Sequence, residues 1–194
     1  MKKLSLLILG ILILAQFAIP YSMIRSREDI LNHGELFKFK TRPIDPADPF
    51  QGRYVQLGID QDYIPYPKDQ KPDLQYNTPI YATIETDEEG FARFTRWSRE
   101  KPPGGNFLKT RSKGQRQDWM PESRKRIYKG MRLEIPFDRF YMDEAKAPRA
   151  ERMVRDSTQT TNCWVNIRLL NGKAAIEDVF AEGKSLKDLT SKKE

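Results

Sequence analysis

The feature that most narrows the folding options of this 194-residue chain is its opening stretch. Residues 4–24, LSLLILGILILAQFAIPYSMI, carry no charge, and only Ser5, Gln16, Tyr21 and Ser22 interrupt the apolar run. A helix needs about 20 apolar residues to cross the roughly 30 Å of bilayer hydrocarbon. The stretch therefore predicts an N-terminal membrane anchor over residues 1–24. A cleaved signal peptide has a shorter apolar region and a small-x-small cleavage site. Ala15-Gln16-Phe17 and Pro20-Tyr21-Ser22 both fit such a site poorly, so a retained anchor is the better reading. Lys2 and Lys3 favour a cytoplasmic N-terminus, with Arg25 and Arg27 weakening that bias, and the remainder of the chain is then expected outside the cytoplasm.

Beyond the anchor the pattern changes. Residues 25–34, RSREDILNHG, predict a short connecting helix closed by Gly34 in a left-handed C-cap. Period-two alternation follows: Phe37, Phe39 and Thr41 oppose Leu36, Lys38 and Lys40. Residues 78–98 predict a hairpin, with Ile80, Ala82 and Ile84 alternating before a DEEG turn and Phe91, Ala92 and Phe94 leading the return strand. Residues 99–122 are rich in Gly, Pro, Lys and Arg without periodicity and predict a long mobile basic loop. Met131, Leu133 and Ile135 mark a further strand. Residues 142–157 predict the one soluble helix, starting near Ala147 with Pro148 in its first turn. In 163–180, Asn171-Gly172 favours a type I′ turn between two alternating runs; a two-residue turn sets Ile167 opposite Ile176 and Asn166 opposite Glu177. At least six hairpin-joined strands in residues 35–190 imply a mainly β domain, an antiparallel sandwich or a partly open barrel.

The charge is local. Residues 93–132 hold 13 Lys/Arg against 3 Asp/Glu, whereas the whole chain is +7, leaving the rest at −3. Such a patch would suit nucleic acid inside the cytoplasm. Outside it, anionic lipid headgroups or envelope polymers are the fitting partners, with Arg111, Lys113, Arg116, Arg124, Lys125, Arg126 and Lys129 as the contact surface. The bland account is a solvated basic loop. The row Lys146, Arg149, Arg152 and Arg155 is likewise a broad solvated helical face, partly neutralised by Glu151 and Asp156.

Within DPADPFQGRYVQLGID, residues 45–60, Pro46 and Pro49 hold the preceding aspartates in extended geometry and offer no N–H. Gly52 gives a permissive backbone position, and Val55, Leu57 and Ile59 then alternate with Tyr54, Gln56 and Gly58 as a half-buried strand. These residues carry a resemblance. PIDPADPFQGRYVQLGI resembles the signature of the GDYXXLXY family, through Pro43, Asp45, Pro46, Asp48, Gly52, Tyr54 and Leu57. Arg53 stands where that signature has Asp, and Ile59 where it has the second Tyr. The N-terminal apolar helix, the RSRE exit, FYMDE and the final strand–NG–strand–EGK stretch fit as well. The resemblance implies a bacterial membrane-anchored protein, often accompanying multi-pass membrane proteins, with no established activity. With Arg53 in place, an acidic role at that motif position has no side chain to perform it, while backbone and packing roles for Gly52, Tyr54 and Leu57 survive.

Catalytic and metal chemistry find little support. One cysteine, Cys163, allows no intramolecular disulfide and reads as a small core residue. One histidine, His33, with one cysteine makes a zinc site improbable in composition. Asp45, Asp48, Asp60 and Asp62 match no EF-hand spacing, and nothing pairs Asp45 with Asp48 as acid and base. A signal-peptidase-like dyad of Ser22 and Lys125 lacks the Ser-x-Met and Gly-Asp-Asn-Arg context, and Lys125 sits between two arginines where a neutral amine is disfavoured. The expectation is a non-enzymatic accessory to a membrane-protein partner, without cofactor, metal or nucleic acid, its oligomeric state unspecified.

Overall fold

The computed structural model describes residues 2–42, 54–65, 75–120, 125–141 and 163–191. A single helix α1 spans Lys2–His33 and contains Pro20. Among the described residues the strands are β1 (Glu35–Arg42), β2 (Tyr54–Gln56), β3 (Gly58–Ile59), β4 (Tyr63–Pro65), β5 (Pro79–Thr86), β6 (Ala92–Ser98), β7 (Phe107–Met120), β8 (Lys125–Leu133), β9 (Arg139–Tyr141), β10 (Cys163–Leu170), β11 (Lys173–Ala181) and β12 (Lys184–Ser185), followed by a short helix α2 (Leu186–Ser191). They form two antiparallel five-stranded sheets, ordered β12-β11-β10-β1-β3 and β4-β8-β7-β5-β6, with β2 and β9 paired beside them.

The alternation expected at β1 is present: Phe37, Phe39 and Thr41 are buried, while Leu36 and Lys38 face outward. Phe39 meets Phe94 and Phe137 at ring-centroid distances of 5.3 and 5.4 Å. Inward side chains of β1, β10 and β11 share one core with those of β4 to β8, which is the sandwich arrangement in which each sheet buries one face. Cys163 belongs to this core, and burial pushes its thiol pKa up. The 78–98 hairpin forms as β5 and β6, with a bulge between Thr83 and Ile84.

Four expectations need correction. The segment 99–122 is not a long loop, because β7 occupies Phe107–Met120. Its period-two pattern is hidden by polar inward residues: Leu108, Thr110 and Ser112 are buried while Lys109 and Arg111 are exposed. The hydroxyls are tolerated because backbone carbonyls accept from them, Glu134 from Thr110 and Gln75 from Ser112.

The Asn171-Gly172 turn carries positive φ at both residues (51° and 80°), as a type I′ turn requires. Ile167 does face Ile176, but Asn166 faces Asp178 rather than Glu177. Glu177 is the extra residue of a bulge. Ile176 and Val179 lie three positions apart and both belong to the core. A strict two-residue alternation would turn one of them outward, and the bulge restores the phase.

Residues 25–33 are not a separate helix; they are the end of α1, and Gly34 follows it. Gly34 is also not a left-handed cap, since its φ is not positive. Its amide donates to the Ile30 carbonyl at 2.9 Å. A Cβ there would lie 2.4 Å from the Ile30 oxygen and 3.0 Å from the Leu169 nitrogen. Glycine is required here by close approach of helix and strand. The predicted helix over 142–157, with Lys146, Arg149, Arg152 and Arg155, lies outside the described residues.

Candidate functional site

The strand β3, which carries the end of the DPADPFQGRYVQLGID stretch, lines a cleft of about 560 Å³. Leu57, Ile59, Leu133 and Ile135 give it apolar walls, and Asp62, Lys113, Arg132, Glu134 and Asp138 supply charge. Backbone bonds hold its edges: the Leu57 amide donates to the Asp138 carbonyl, and the Leu133 amide to the Asp62 carbonyl, both at 2.8 Å.

The charges are paired across the cleft. Asp62 is buried, with Arg132 Nε donating to one carboxylate oxygen at 3.0 Å and Arg116 Nη1 lying 3.7 Å from the other. Two guanidinium groups thus face one buried carboxylate, and a charge is tolerated away from water when it is paired in this way. Lys113 Nζ sits 3.0 Å from Glu134 and over the Tyr76 ring at 5.5 Å. The hydrogen bond to Glu134 holds the Lys113 pKa above its usual value. The described lining contains no serine, cysteine or histidine, and Tyr76 supplies its hydroxyl. Its chemistry suits recognition of a small molecule carrying both signs of charge.

A smaller cleft of about 350 Å³ lies on the other side of Ile59, lined among others by Lys40, Tyr63, Phe91, Arg93 and Arg116. Its rim cations are also engaged: Lys40 with Glu89 at 2.5 Å and Arg93 Nε with Asp87 at 2.7 Å.

Of the motif residues, Pro43, Asp45, Pro46, Asp48 and Gly52 lie outside the described residues. Tyr54 pairs with Tyr141 in the β2–β9 ladder, and Leu57 is buried at the cleft floor. Of the basic residues, Arg124 lies outside the described residues, while Lys125 stands in β8 opposite Met120. Arg126 and Lys129 are exposed on β8. Arg111 donates to the Asn77 carbonyl at 3.2 Å, whereas Lys113 and Arg116 turn into the cleft pairs. Among the described cations, Lys113 and Arg116 are thus engaged with Glu134 and Asp62, while Arg126 and Lys129 are exposed. Ser22 Oγ donates to the Ile19 carbonyl at 2.7 Å within α1. Asp62, weighed from sequence only as a cation ligand, is instead the centre of the arginine pair. Its partner Arg132 is 70 residues away, and no local pattern links them.

A family model described as GDYXXLXY protein matches residues 16–179, from within α1 to β11. No curated protein and no solved structure matches the chain.

Proposed function

This chain belongs to the GDYXXLXY family, and we propose that it is a single-pass membrane protein whose β domain lies outside the cytoplasm of a bacterial cell and serves as a non-enzymatic accessory to a multi-pass membrane partner. One observation carries the anchoring. Residues Ile8–His33 have a mean hydropathy of 1.7 over an 18-residue window, and none of that window is buried in the protein. Leu14, Phe17 and Ile19 are exposed. A water-soluble fold would bury such side chains, and a bilayer supplies the missing apolar surroundings. Lys2 and Lys3 support the orientation. The internally paired cleft supports binding over turnover.

Affinity capture of the tagged chain from detergent-solubilised membranes tests this reading. Co-purification of a defined multi-pass protein is expected, and recovery of the chain alone from the membrane fraction would count against it.

A second reading, contact with anionic lipid or envelope polymer through the 93–132 region, is favoured by one part of that region. The β7–β8 ribbon exposes Trp119 and Met120, with Arg126 directly across from Trp119. Loss of polymer or vesicle binding in Arg126→Glu but not in Arg111→Glu is expected on this reading; equal behaviour of the two variants removes it.

A further inference from the structure

The contacts between α1 and the β10–β11 hairpin fix the height of the β domain along the helix. At one end, Arg168 Nη1 donates to the Gly34 carbonyl at 3.1 Å. Arg168 is itself held by Glu177, through Nε at 3.1 Å and Nη2 at 2.9 Å. At the other end, Lys173 Nζ reaches Ser26 Oγ at 3.4 Å. Between them Ile30 is buried. Ser26 and Gly34 are about 12 Å apart along the axis at roughly 1.5 Å per residue. The hairpin therefore lies lengthwise on the helix, and its Asn171-Gly172 turn points back toward the apolar segment.

The apolar run ends at Ile24. Ser26 is two residues farther, about 3 Å along a helix axis. The headgroup band on each side of a bilayer is roughly 5–8 Å deep. With the helix along the membrane normal, the Lys173 ammonium therefore falls inside that band.

Other cations surround this level. Arg25 and Arg27 flank Ser26 and are exposed. The amide of exposed Lys109 donates to the Gly172 carbonyl at 2.8 Å, which fixes β7 beside the turn. The carboxylates of the helix, Glu28 and Asp29, come next, farther from the apolar run, and Asp29 Oδ1 is 2.9 Å from His33 Nδ1. Positive charge is thus concentrated on the side nearest the apolar run.

We infer that the base of the β domain, formed by Arg25, Arg27, Lys109 and Lys173 around the Asn171-Gly172 turn, is a docking surface for anionic phospholipid headgroups of the membrane that holds α1. The domain sits on the bilayer and does not swing from it on a tether. This rests on α1 being a membrane anchor.

The test uses the full chain with a fluorophore on Lys173→Cys or, as reference, on Glu89→Cys; the native Cys163 is buried and does not compete. Glu89 pairs with Lys40, six residues beyond Gly34 on a strand leading away from the turn, about 20 Å at 3.3 Å per residue. Each labelled chain is reconstituted into equimolar phosphatidylglycerol–phosphatidylcholine vesicles containing a headgroup-attached nitroxide quencher. Several-fold stronger quenching at 173 than at 89 is expected, reduced by Lys109→Glu in these vesicles and unchanged by it in pure phosphatidylcholine. Equal quenching at the two positions, or indifference to Lys109→Glu and to lipid charge in a chain that floats with the vesicles, overturns the docking surface and leaves that face for a protein partner. A chain that does not float with the vesicles refutes the anchor itself, which is a separate and visible outcome.

Discussion

Gly34 shows how a single position can be misjudged in kind while being right in place. Its position after the last helical turn suggests a left-handed cap, yet its φ is not positive. What it supplies is room for Ile30, Leu169 and Arg168 to approach. Gly34→Ala is expected to destabilise the folded chain by about 1–3 kcal/mol, as overpacking does where neighbours are backbone and cannot yield. Gly104→Ala, where a Cβ meets nothing within 4 Å, is the matched control in the same chemical-denaturation measurement; equal effects would refute the close-approach account. Asp62 teaches the complementary lesson. Its carboxylate is one of four aspartates near the motif, and nothing in the local sequence distinguishes it. Only its two arginine neighbours, brought by β7 and β8, give it a role.

Among the elements, the β5–β6 hairpin was legible to within a residue because its alternation and its acidic turn are both local. Asp87 organises that turn. Its carboxylate accepts from the Phe91 amide at 2.8 Å and the Glu89 amide at 3.1 Å, and from Arg93 Nε at 2.7 Å. The Phe91 amide, chiefly, holds the Asp87 pKa below its ordinary value of 3.8. A carboxyl whose folded pKa is depressed stabilises the fold above its unfolded pKa and loses that contribution as pH falls through the folded one. Asp87→Ala is therefore expected to lower stability near neutral pH, with the gap closing as the pH drops below the ordinary carboxylate range. Thermal unfolding of both chains from pH 7 to pH 3 measures this, and a gap independent of pH would show that the carboxylate charge is irrelevant. The longest element that escapes sequence reading is β7, because Thr110 and Ser112 occupy inward positions where alternation is judged by hydrophobicity. Their hydroxyls satisfy backbone carbonyls, a compensation invisible until the neighbouring segments are in place.

At the scale of the whole molecule, Phe39 joins the two sheets through its contacts with Phe94 and Phe137. Phe39→Ala is expected to cost about 3–5 kcal/mol, as large-to-small changes of buried aromatics do. Both sheets should still unfold together: fluorescence of Trp164 on β10 and Trp97 on β6, followed in single-tryptophan chains, should give one midpoint. Two separated midpoints would mean that the sheets are independent units. The long apolar helix, the mainly β character, the Asn171-Gly172 turn and the inward faces of β1, β5 and β8 could all be read from residue order. Each depends on neighbours one to four positions apart, where backbone geometry alone sets which side chains share a face. The strand order, the bulge at Glu177, the cleft beside Leu57 and the seating of α1 on β10 and β11 could not. They join residues such as Gly34 and Arg168, 134 positions apart, and many pairings of alternating strands bury a face equally well. Which pairing forms depends on how the buried faces, bulges and close glycine contacts fit together at once, and that fit exists only in the assembled sandwich.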